Sequence, residues 1–480
     1  MYTECFILFD ECEKLVQDVH YRDSIREPMN DFFRFQNKAL ISATPIVPEK
    51  DSRFDGFMRV LIQPDYVYRQ KLKLITTNNV LETLQEVIEA KRGTVCIFCN
   101  SIDSIDSFYR LIPELSNACT FCSEDGQYKL WKGNRRKKSM MITELERYNF
   151  FTSRFYSAVD ILCKNPPHVI FVSDLYGAAQ SVIDPATEAI QIIGRFRGGV
   201  NSVTHIASIR PELACRSSSE IDHWIQGAST IFNGWKAQLA RTTNIGERTL
   251  LQEAIGENSY LPYLDENGKP DSFLIANFYE KEQVKRLYTS ADLLHLAYEQ
   301  TGYFVFSHEE RLKPVSDNER MAIQHRLAKK KRAELIVRKL EEMEKMSKAT
   351  DKKIQKRYQR MLMNLITSTA DRYIYDCFCR FGAEFVREAD YNENKLRTAL
   401  NVSSEHTIKK SGQMRTYIQR AFPVGAEISV QEAKSMLRQV YKKMGLNTGR
   451  GITTKELEQY AEIENSRNRE ARMIKILKHK

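Results

Sequence analysis

The chain has 480 residues, enough for about two to four domains, and its 42% hydrophobic and 28% charged residues exclude a disordered or fibrous protein. No apolar run approaches the roughly 18 residues of a membrane-crossing helix, and Met1-Tyr-Thr-Glu-Cys-Phe6 lacks the charged and apolar parts of a signal peptide, so no membrane partner is expected. Ten scattered cysteines read as reduced thiols, and the expected location is cytoplasmic, in a bacterium or a phage-infected host.

The net charge of +10 is localised. Between Arg320 and Arg360 stand 15 Lys and Arg against 5 Asp and Glu, an excess equal to that of the whole chain. The tail from Ser466 to Lys480 adds six cations against Glu470. Positive charge so placed suits a polyanion, through counterion release from phosphates; a solvated charged helix accounts for the window alone equally well.

In chain order, residues 1–215 alternate short apolar runs with helical patterns. The runs are Phe6 to Phe9, Ala39 to Ile41, Thr94 to Phe98, Ala118 to Phe121 and His168 to Val172. Continuous apolar strands between helices predict an α/β fold with a parallel sheet covered on both faces. A link near Gln63-Pro-Asp-Tyr66 divides this stretch into 1–64 and 65–215. Residues 216–318 read as a mostly helical accessory domain, with a hairpin turn at Asn267-Gly268 between Tyr263-Leu264 and Phe273-Leu-Ile275. Residues 319–365, rich in Lys, Arg, Glu and Met and free of Gly and Pro, predict one long basic helix. Residues 366–480 read as helical and change character after Pro423.

Three motifs carry chemistry. Phe6-Ile-Leu-Phe-Asp-Glu-Cys-Glu13 ends an apolar strand in two carboxylates, at the sheet edge where parallel folds bind ligands. In a nucleotide hydrolase Asp10 would hold Mg²⁺ through water and Glu11 would activate the attacking water. A strand end followed by an acidic helix start explains the same residues in isolation. Ala39-Leu-Ile-Ser-Ala-Thr-Pro45 is a second strand end, about thirty residues on, whose Ser42 and Thr44 hydroxyls could link the carboxylates to a nucleic-acid side. Gln191-Ile-Ile-Gly-Arg-Phe-Arg197 sets two arginines beside Gly194, which keeps the backbone close, and guanidinium groups suit phosphate oxygens. Alone, that last motif reads better as a surface arginine pair.

In this order the three resemble the second, third and sixth motifs of superfamily 2 (DEAD/DEAH-like) helicases. Thr94 to Asn100 falls where the fourth should lie, and Val172-Ser-Asp-Leu-Tyr-Gly177 loosely matches the fifth. The resemblance covers residues 1–215. It implies RecA-like parallel sheets, the first incomplete over 1–64 and the second over 65–215, with ATP and Mg²⁺ between them. It further implies that Asp10, Glu11, Arg195 and Arg197 are catalytic, that Gln191, Gly194, Asp174 and Gly177 bind ATP, and that Ser42, Ala43 and Thr44 couple hydrolysis to strand movement. Which of Arg195 and Arg197 reaches the transferred phosphate is left open.

The family's first motif, Gly-x-x-x-x-Gly-Lys before Ser or Thr, is absent from the sequence, and only nine residues precede Asp10. That loop supplies the backbone N–H groups and lysine that cradle phosphates. The expectation is therefore an internal start, a split gene or an incomplete frame, with uncovered apolar surface and open sheet edges in 1–64. This chain alone is expected not to hydrolyse ATP.

Cys96-x-x-Cys99 and Cys119-x-x-Cys122 have the spacing of a four-cysteine zinc site. Thr94 to Cys99 reads as a strand, however, and an offset of three sends two thiols to opposite faces. Zinc is not expected.

Near the end, Ser429-Val-Gln-Glu432 is a capping box opening a helix from Val430 to Met444, closed by Gly445. Thr453-Thr-Lys-Glu456 is a second, opening a short helix to about Ala461, and Glu462 to Glu464 with Ala471 to Leu477 read as strand, turn, strand. Helix, turn, helix and hairpin is a winged helix-turn-helix order over about 422–480. Arg467 and Arg469 would lie at the wing tip, Arg472 and Lys475 along its strand, and Lys455 on the second helix. The segment resembles terminal modules of phage and mobile-element replication helicases and primases, which implies phosphate contact and favours DNA over RNA as the nucleic-acid partner.

Together these readings describe the C-terminal part of an ATP-dependent helicase or translocase acting in DNA replication or repair of a phage or mobile element. The alternatives are a non-catalytic nucleic-acid-binding relic, and a subunit completed by a separate polypeptide that carries the phosphate loop.

Overall fold

The computed structural model describes residues 2–20, 22–131, 137–142, 144–157, 159–346, 352–446, 451–467 and 471–480. The chain divides into two units, Met1–Met321 and Ala322–Lys480.

The first unit opens with β1 (Phe6–Asp10), α1 (Lys14–Gln17), α2 (Pro28–Arg34) and β2 (Asn37–Ile41). β1 and β2 pair in parallel, Phe6 opposite Asn37 through Asp10 opposite Ile41. Alternation along the pleat turns Ile7, Phe9 and Leu40 toward a core of Cys12, Leu15, Val16, Met29 and Phe32. The other face is bare: Phe6 is 64% exposed, Leu8 53% and Ile41 45%. Parallel sheets are ordinarily covered on both faces, so the uncovered apolar surface expected for 1–64 is present. Residues 57–69 then run without helix or strand, and Val60, Leu61, Ile62 and Val67 are exposed.

Beyond this link come β3 (Gln70–Thr77), α3 (Val80–Glu89), β4 (Val95–Phe98), α4 (Ile102–Leu111), β5 (Cys119–Phe121), α5 (Glu124–Trp131), β6 (Lys137–Ser139), β7 (Tyr148–Phe151), β8 (His168–Ser173), α6 (Glu188–Gly194) and β9 (Ser202–Ser208). There follow α7 (Ser218–Arg241), α8 (Ile245–Gly256), α9 (Ser272–Leu287), α10 (Ala291–Gln300), β10 (Phe304–Arg311) and α11 (Asp317–Met321). The strands form one sheet in the order β10-β3-β9-β8-β4-β7-β5-β6, parallel at every pairing. Its central strands are buried almost throughout, which is why they read as unbroken apolar runs. One face carries Cys96, Phe98, Phe151 and Phe171; the other carries Ile97, Phe150, Ile170 and Val172. The protein is α/β with an all-parallel central sheet.

Position 215 does not end this sheet. β10, from the segment read as an accessory domain, pairs with β3 over its whole length, Phe304 opposite Gln70 through Arg311 opposite Thr77. As an edge strand it has mostly exposed and half-buried residues, and its short apolar start, Phe304-Val-Phe306, gives way to Ser, His, Glu and Arg. The turn at Asn267-Gly268 is present, with Gly268 N donating to Asp265 O at 2.9 Å, but Phe273 to Ile275 begin α9 instead of a strand.

The second unit starts with a π-turn (Ala322–Arg326), then α12 (Lys329–Met346), α13 (Lys352–Ser368), α14 (Arg372–Glu388), α15 (Glu393–Lys409) and α16 (Gly412–Ala421). The single long helix expected over 319–365 is thus several helices. The apolar stripe Ala333, Ile336, Val337 and Leu340 of α12 needs cover, and the chain folds back to supply it: Tyr358 of α13 donates to Lys339 O at 3.2 Å. Much of the basic window is balanced locally. Lys329 pairs with Glu393, Lys330 with Asp390 at 2.6 Å and Arg332 with Asp371 at 2.6 Å.

The unit closes with β11 (Glu427–Ser429), α17 (Val430–Lys443), β12 (Ala461–Arg467) and β13 (Arg472–His479), an antiparallel sheet in the order β11-β13-β12. Ser429 caps α17 by accepting from Glu432 N at 3.1 Å. The second capping box, Thr453 with Glu456, is formed, yet it opens a 3-10 helix (Thr454–Gln459) and not an α-helix.

Candidate functional site

β1 ends on Asp10, and the chain leaves it through Glu11, whose φ of +54° is unusual for a residue with a side chain. Such strain gathers at functional sites; here Glu11 N donates back to Asp10 Oδ1 at 2.8 Å. The turn carries Glu13 and Lys14 inward, while Ser42 and Thr44 arrive on the exit from β2, and Gln191 comes from the middle of α6.

These side chains close on one another. Ser42 Oγ donates to Glu13 Oε2 at 2.5 Å and accepts from Thr44 N at 2.9 Å. Gln191 Nε2 donates to Glu13 Oε1 and to Thr44 Oγ1, both at 2.8 Å. Lys14 Nζ donates to Gln191 Oε1 at 3.1 Å and to Gln17 Oε1 at 2.8 Å. Glu13, Lys14, Thr44 and Gln191 are all buried. The exits of both short strands are thereby fastened to α6, on the far side of the link. Ala43, between the two hydroxyls, is exposed.

Arg195 follows α6 directly. Its Nη1 lies 3.9 Å from Glu11 Oε1, and its Nε donates to Gln191 O at 3.2 Å. Arg197 instead pairs with Asp160 at 3.1 Å and is largely exposed. So Arg195 is the arginine that faces the carboxylate. At Gly194 an added Cβ would meet nothing within 4 Å, so no close approach in this chain explains that glycine.

Asp174 and Gly177 form a separate cluster. Asp174 Oδ2 accepts from Ser104 at 2.9 Å and Oδ1 from Gly177 N at 3.1 Å. Arg320 lies 4.0 Å from Asp174 and 3.1 Å from Asp317, and all three are buried. Burial pushes Asp317 up to about 6. Both Asp174 oxygens are thus engaged with protein groups. Gly177 has a steric reason: a Cβ there would stand 2.3 Å from Asp174 Oδ2.

Sequence reasoning missed Glu13 and Lys14 as site residues, although they adjoin the Asp-Glu pair. It also missed α9, which bears on both halves of the site. Phe273 and Leu274 enter the core beneath β1 and β2, and Asn277 Nδ2 donates to Val16 O at 2.7 Å. Gln17 Nε2 donates to Glu280 Oε1 at 3.1 Å and to Thr187 Oγ1 at 2.9 Å. Burial pushes the Glu280 carboxyl up to about 7 and that of Glu188, whose Oε2 accepts from Asp184 N at 3.0 Å, up to about 8. Farther along α9, Val284 and Leu287 join the core of the large sheet. Helical periodicity alone carried no sign of this bridging role.

The paired cysteines are split by the sheet: Cys96 and Cys119 belong to the core on one face, Cys99 and Cys122 to the core on the other. Among the described residues no group of three or more His, Cys, Asp or Glu could hold a metal ion, and no helix is long and apolar enough to cross a membrane.

In the C-terminal module Lys455, Arg467, Arg472 and Lys475 are exposed, and Arg469 lies outside the described residues. Arg467 stands directly opposite Arg472 in the β12–β13 register, while Lys475 stands opposite Glu464 on one side and Glu427 on the other. Two cations placed opposite repel, so the end of this hairpin is electropositive, whereas Lys475 is matched.

No protein-family model matches the chain, and no curated protein matches it.

Proposed function

We propose that the first unit is helicase-derived, built on the plan of a superfamily 2 motor, and that the chain works on nucleic acid, DNA in preference to RNA, in a cytoplasm. The observation that carries this reading is the meeting of Glu11 with Arg195, beside the ring of Glu13, Ser42, Thr44 and Gln191. Motifs scattered over nearly two hundred residues converge on the ends of parallel strands, the place where α/β sheets bind ligands. RecA-like motors need this convergence, because a carboxylate from one lobe and an arginine from the other act on the same phosphate.

The residues present fit an ATP–Mg²⁺ site only in part. Asp10 and Glu11 have the chemistry to hold a hydrated Mg²⁺ and to orient water, and Arg195, in preference to Arg197, has the chemistry to meet a terminal phosphate. No Gly-Lys-Ser or Gly-Lys-Thr loop is available to cradle the remaining phosphates. The chain by itself is therefore a partner in a nucleotide site and not the whole of one, either as part of a motor whose phosphate loop lies on another polypeptide segment or as a non-catalytic relic. The order α16, β11, α17, 3-10 helix, β12, β13 supports a winged-helix reading of the tail, with the wing contacting backbone phosphates through Arg467 and Arg472.

Purified chain should bind labelled single-stranded or duplex DNA with strong salt dependence between about 50 and 200 mM, and should show no DNA-stimulated ATP turnover. Turnover that Glu11→Gln abolishes would overturn the partial site. Failure to bind any nucleic acid would overturn the proposal as a whole.

A further inference from the structure

α15 is poorly covered for its length. Of its 17 residues only Leu396 is buried, although a helix of a folded unit normally hides a full apolar stripe. The reason lies next to it. α14 is broken at Gly382, whose φ of +84° belongs to a region that favours glycine. Across the break, Phe381 and Phe385 meet with ring centres 4.7 Å apart and planes tilted at 41°. Between these rings and α15 lies an open groove of about 810 Å³.

The α15 wall of this groove is a continuous stripe. Thr398, Ala399, Val402 and Ser403 line it at helical spacing, and Val402 is 61% exposed. Small side chains over an aromatic floor admit a helix at close range, at the roughly 8–10 Å of ordinary helix packing. Lys395 and His406 stand toward opposite ends of the stripe, about 16 Å apart along the axis. Among the described residues no carboxylate lines the groove.

We infer that this groove is a docking site for an amphipathic helix of a partner protein, one that lays large apolar side chains on Phe381 and Phe385 and brings carboxylates to Lys395 and His406. The rim charge decides the occupant. A second copy laid antiparallel would set Lys395 of each copy against His406 of the other, with no carboxylate among the described lining residues to pair with the lysine. An acidic amphipathic helix meets Lys395 with opposite charge and offers His406 a hydrogen-bond acceptor, and such helix-in-groove pairing is a common mode of recognition. The inference is independent of the nucleotide and nucleic-acid readings above.

The test uses the full chain and a labelled synthetic peptide of about 18 residues, helical by design, with leucine along one face and glutamate on both borders of that face. A second peptide carries lysine in place of every glutamate. By fluorescence anisotropy the glutamate peptide should bind, and the lysine peptide should bind at least about tenfold more weakly. Val402→Asp should weaken the glutamate peptide by about tenfold or more, with helical content by circular dichroism unchanged. Replacing Lys395 and His406 together by glutamate should reverse the order of the two peptides. Equal binding of both peptides, no binding of either, or insensitivity to Val402→Asp would overturn the inference. So would a concentration-dependent dimer that Val402→Asp dissolves.

Discussion

Gln191 donates a hydrogen bond to Glu13 at 2.8 Å, joining side chains 178 positions apart in the sequence. The same amide nitrogen reaches Thr44, and the amide oxygen accepts from Lys14. One carboxamide thereby satisfies a buried anion, a buried cation and a buried hydroxyl. Gln191→Ala would leave all three short of a partner, at a cost of about 2 kcal/mol or more. The expected result is a fall of roughly 3–6 °C in the Tm of the first unit by calorimetry. Gln191→Glu should fall further, since it sets a second carboxylate against Glu13. An unchanged Tm in both would mean that the ring does not hold the two parts together.

Gly177 tests the second buried cluster. Its missing Cβ is the space in which Asp174 reaches Ser104 and Arg320. Gly177→Ala forces that carboxylate to move inside a close-packed site, at about 1–3 kcal/mol. Asp174→Asn in the alanine background should add less than it costs alone, because the two changes disturb one arrangement. Strict additivity in a double-mutant cycle would separate them.

Much of the fold was legible because buried parallel strands advertise themselves. Phe6 to Phe9, Thr94 to Phe98 and His168 to Val172 are unbroken apolar runs, and each is a strand. β10 was hidden, since an edge strand such as Phe304–Arg311 mixes Ser, His, Glu and Arg with its apolar residues. The basic window misled for a different reason. Its lysines and arginines looked like one charged face, while Asp371, Asp390 and Glu393, which balance three of them, lie outside it in sequence. The site was legible at Asp10, Ser42, Gln191 and Arg195, where type and order coincide with a known pattern. Glu13 and Glu280 follow no pattern of spacing, and only the packing of α1 against α9 brings their neighbourhood together.

The cross-strand pair Arg467 and Arg472 gives the wing its test. Like charges directly opposite cost stability unless an anion lies between or beside them. Reversing both to glutamate should weaken DNA binding and flatten the dependence of log K on log salt by roughly 2, one unit for each lost phosphate contact. Lys475→Glu should do much less, because Glu464 and Glu427 already flank it. Equal effects at all three positions would point to overall charge and not to a wing.

The junction of α1, α6 and α9 should make stability depend on pH. Glu188 is pushed up to about 8 and Glu280 up to about 7, first by burial; the Asp184 backbone N–H opposes the rise at Glu188, the Asp184 charge adds to it at both, and Lys14 opposes at both. Lys281 also opposes at Glu280, and Gln17 donates to it. Both groups thus hold protons in the native protein that the unfolded chain, with an ordinary carboxyl value near 4.5, has already lost. Their contribution is complete in acid and drains away as pH rises toward 8. His205 acts the other way. Burial lowers it to about 3, so it costs stability only as pH falls below its ordinary 6.5. Between about pH 6.5 and 8 the two carboxyls therefore act alone among these three groups, and the Tm of the first unit should drop across that window by roughly 2–4 °C. Glu280→Gln keeps the acceptor for Gln17 without the titration, so it should flatten the slope and raise the Tm at pH 6.5, where the native carboxyl already holds a proton that the unfolded one has lost. A slope that persists in Glu188→Gln, Glu280→Gln double-substituted protein would assign the dependence to other groups.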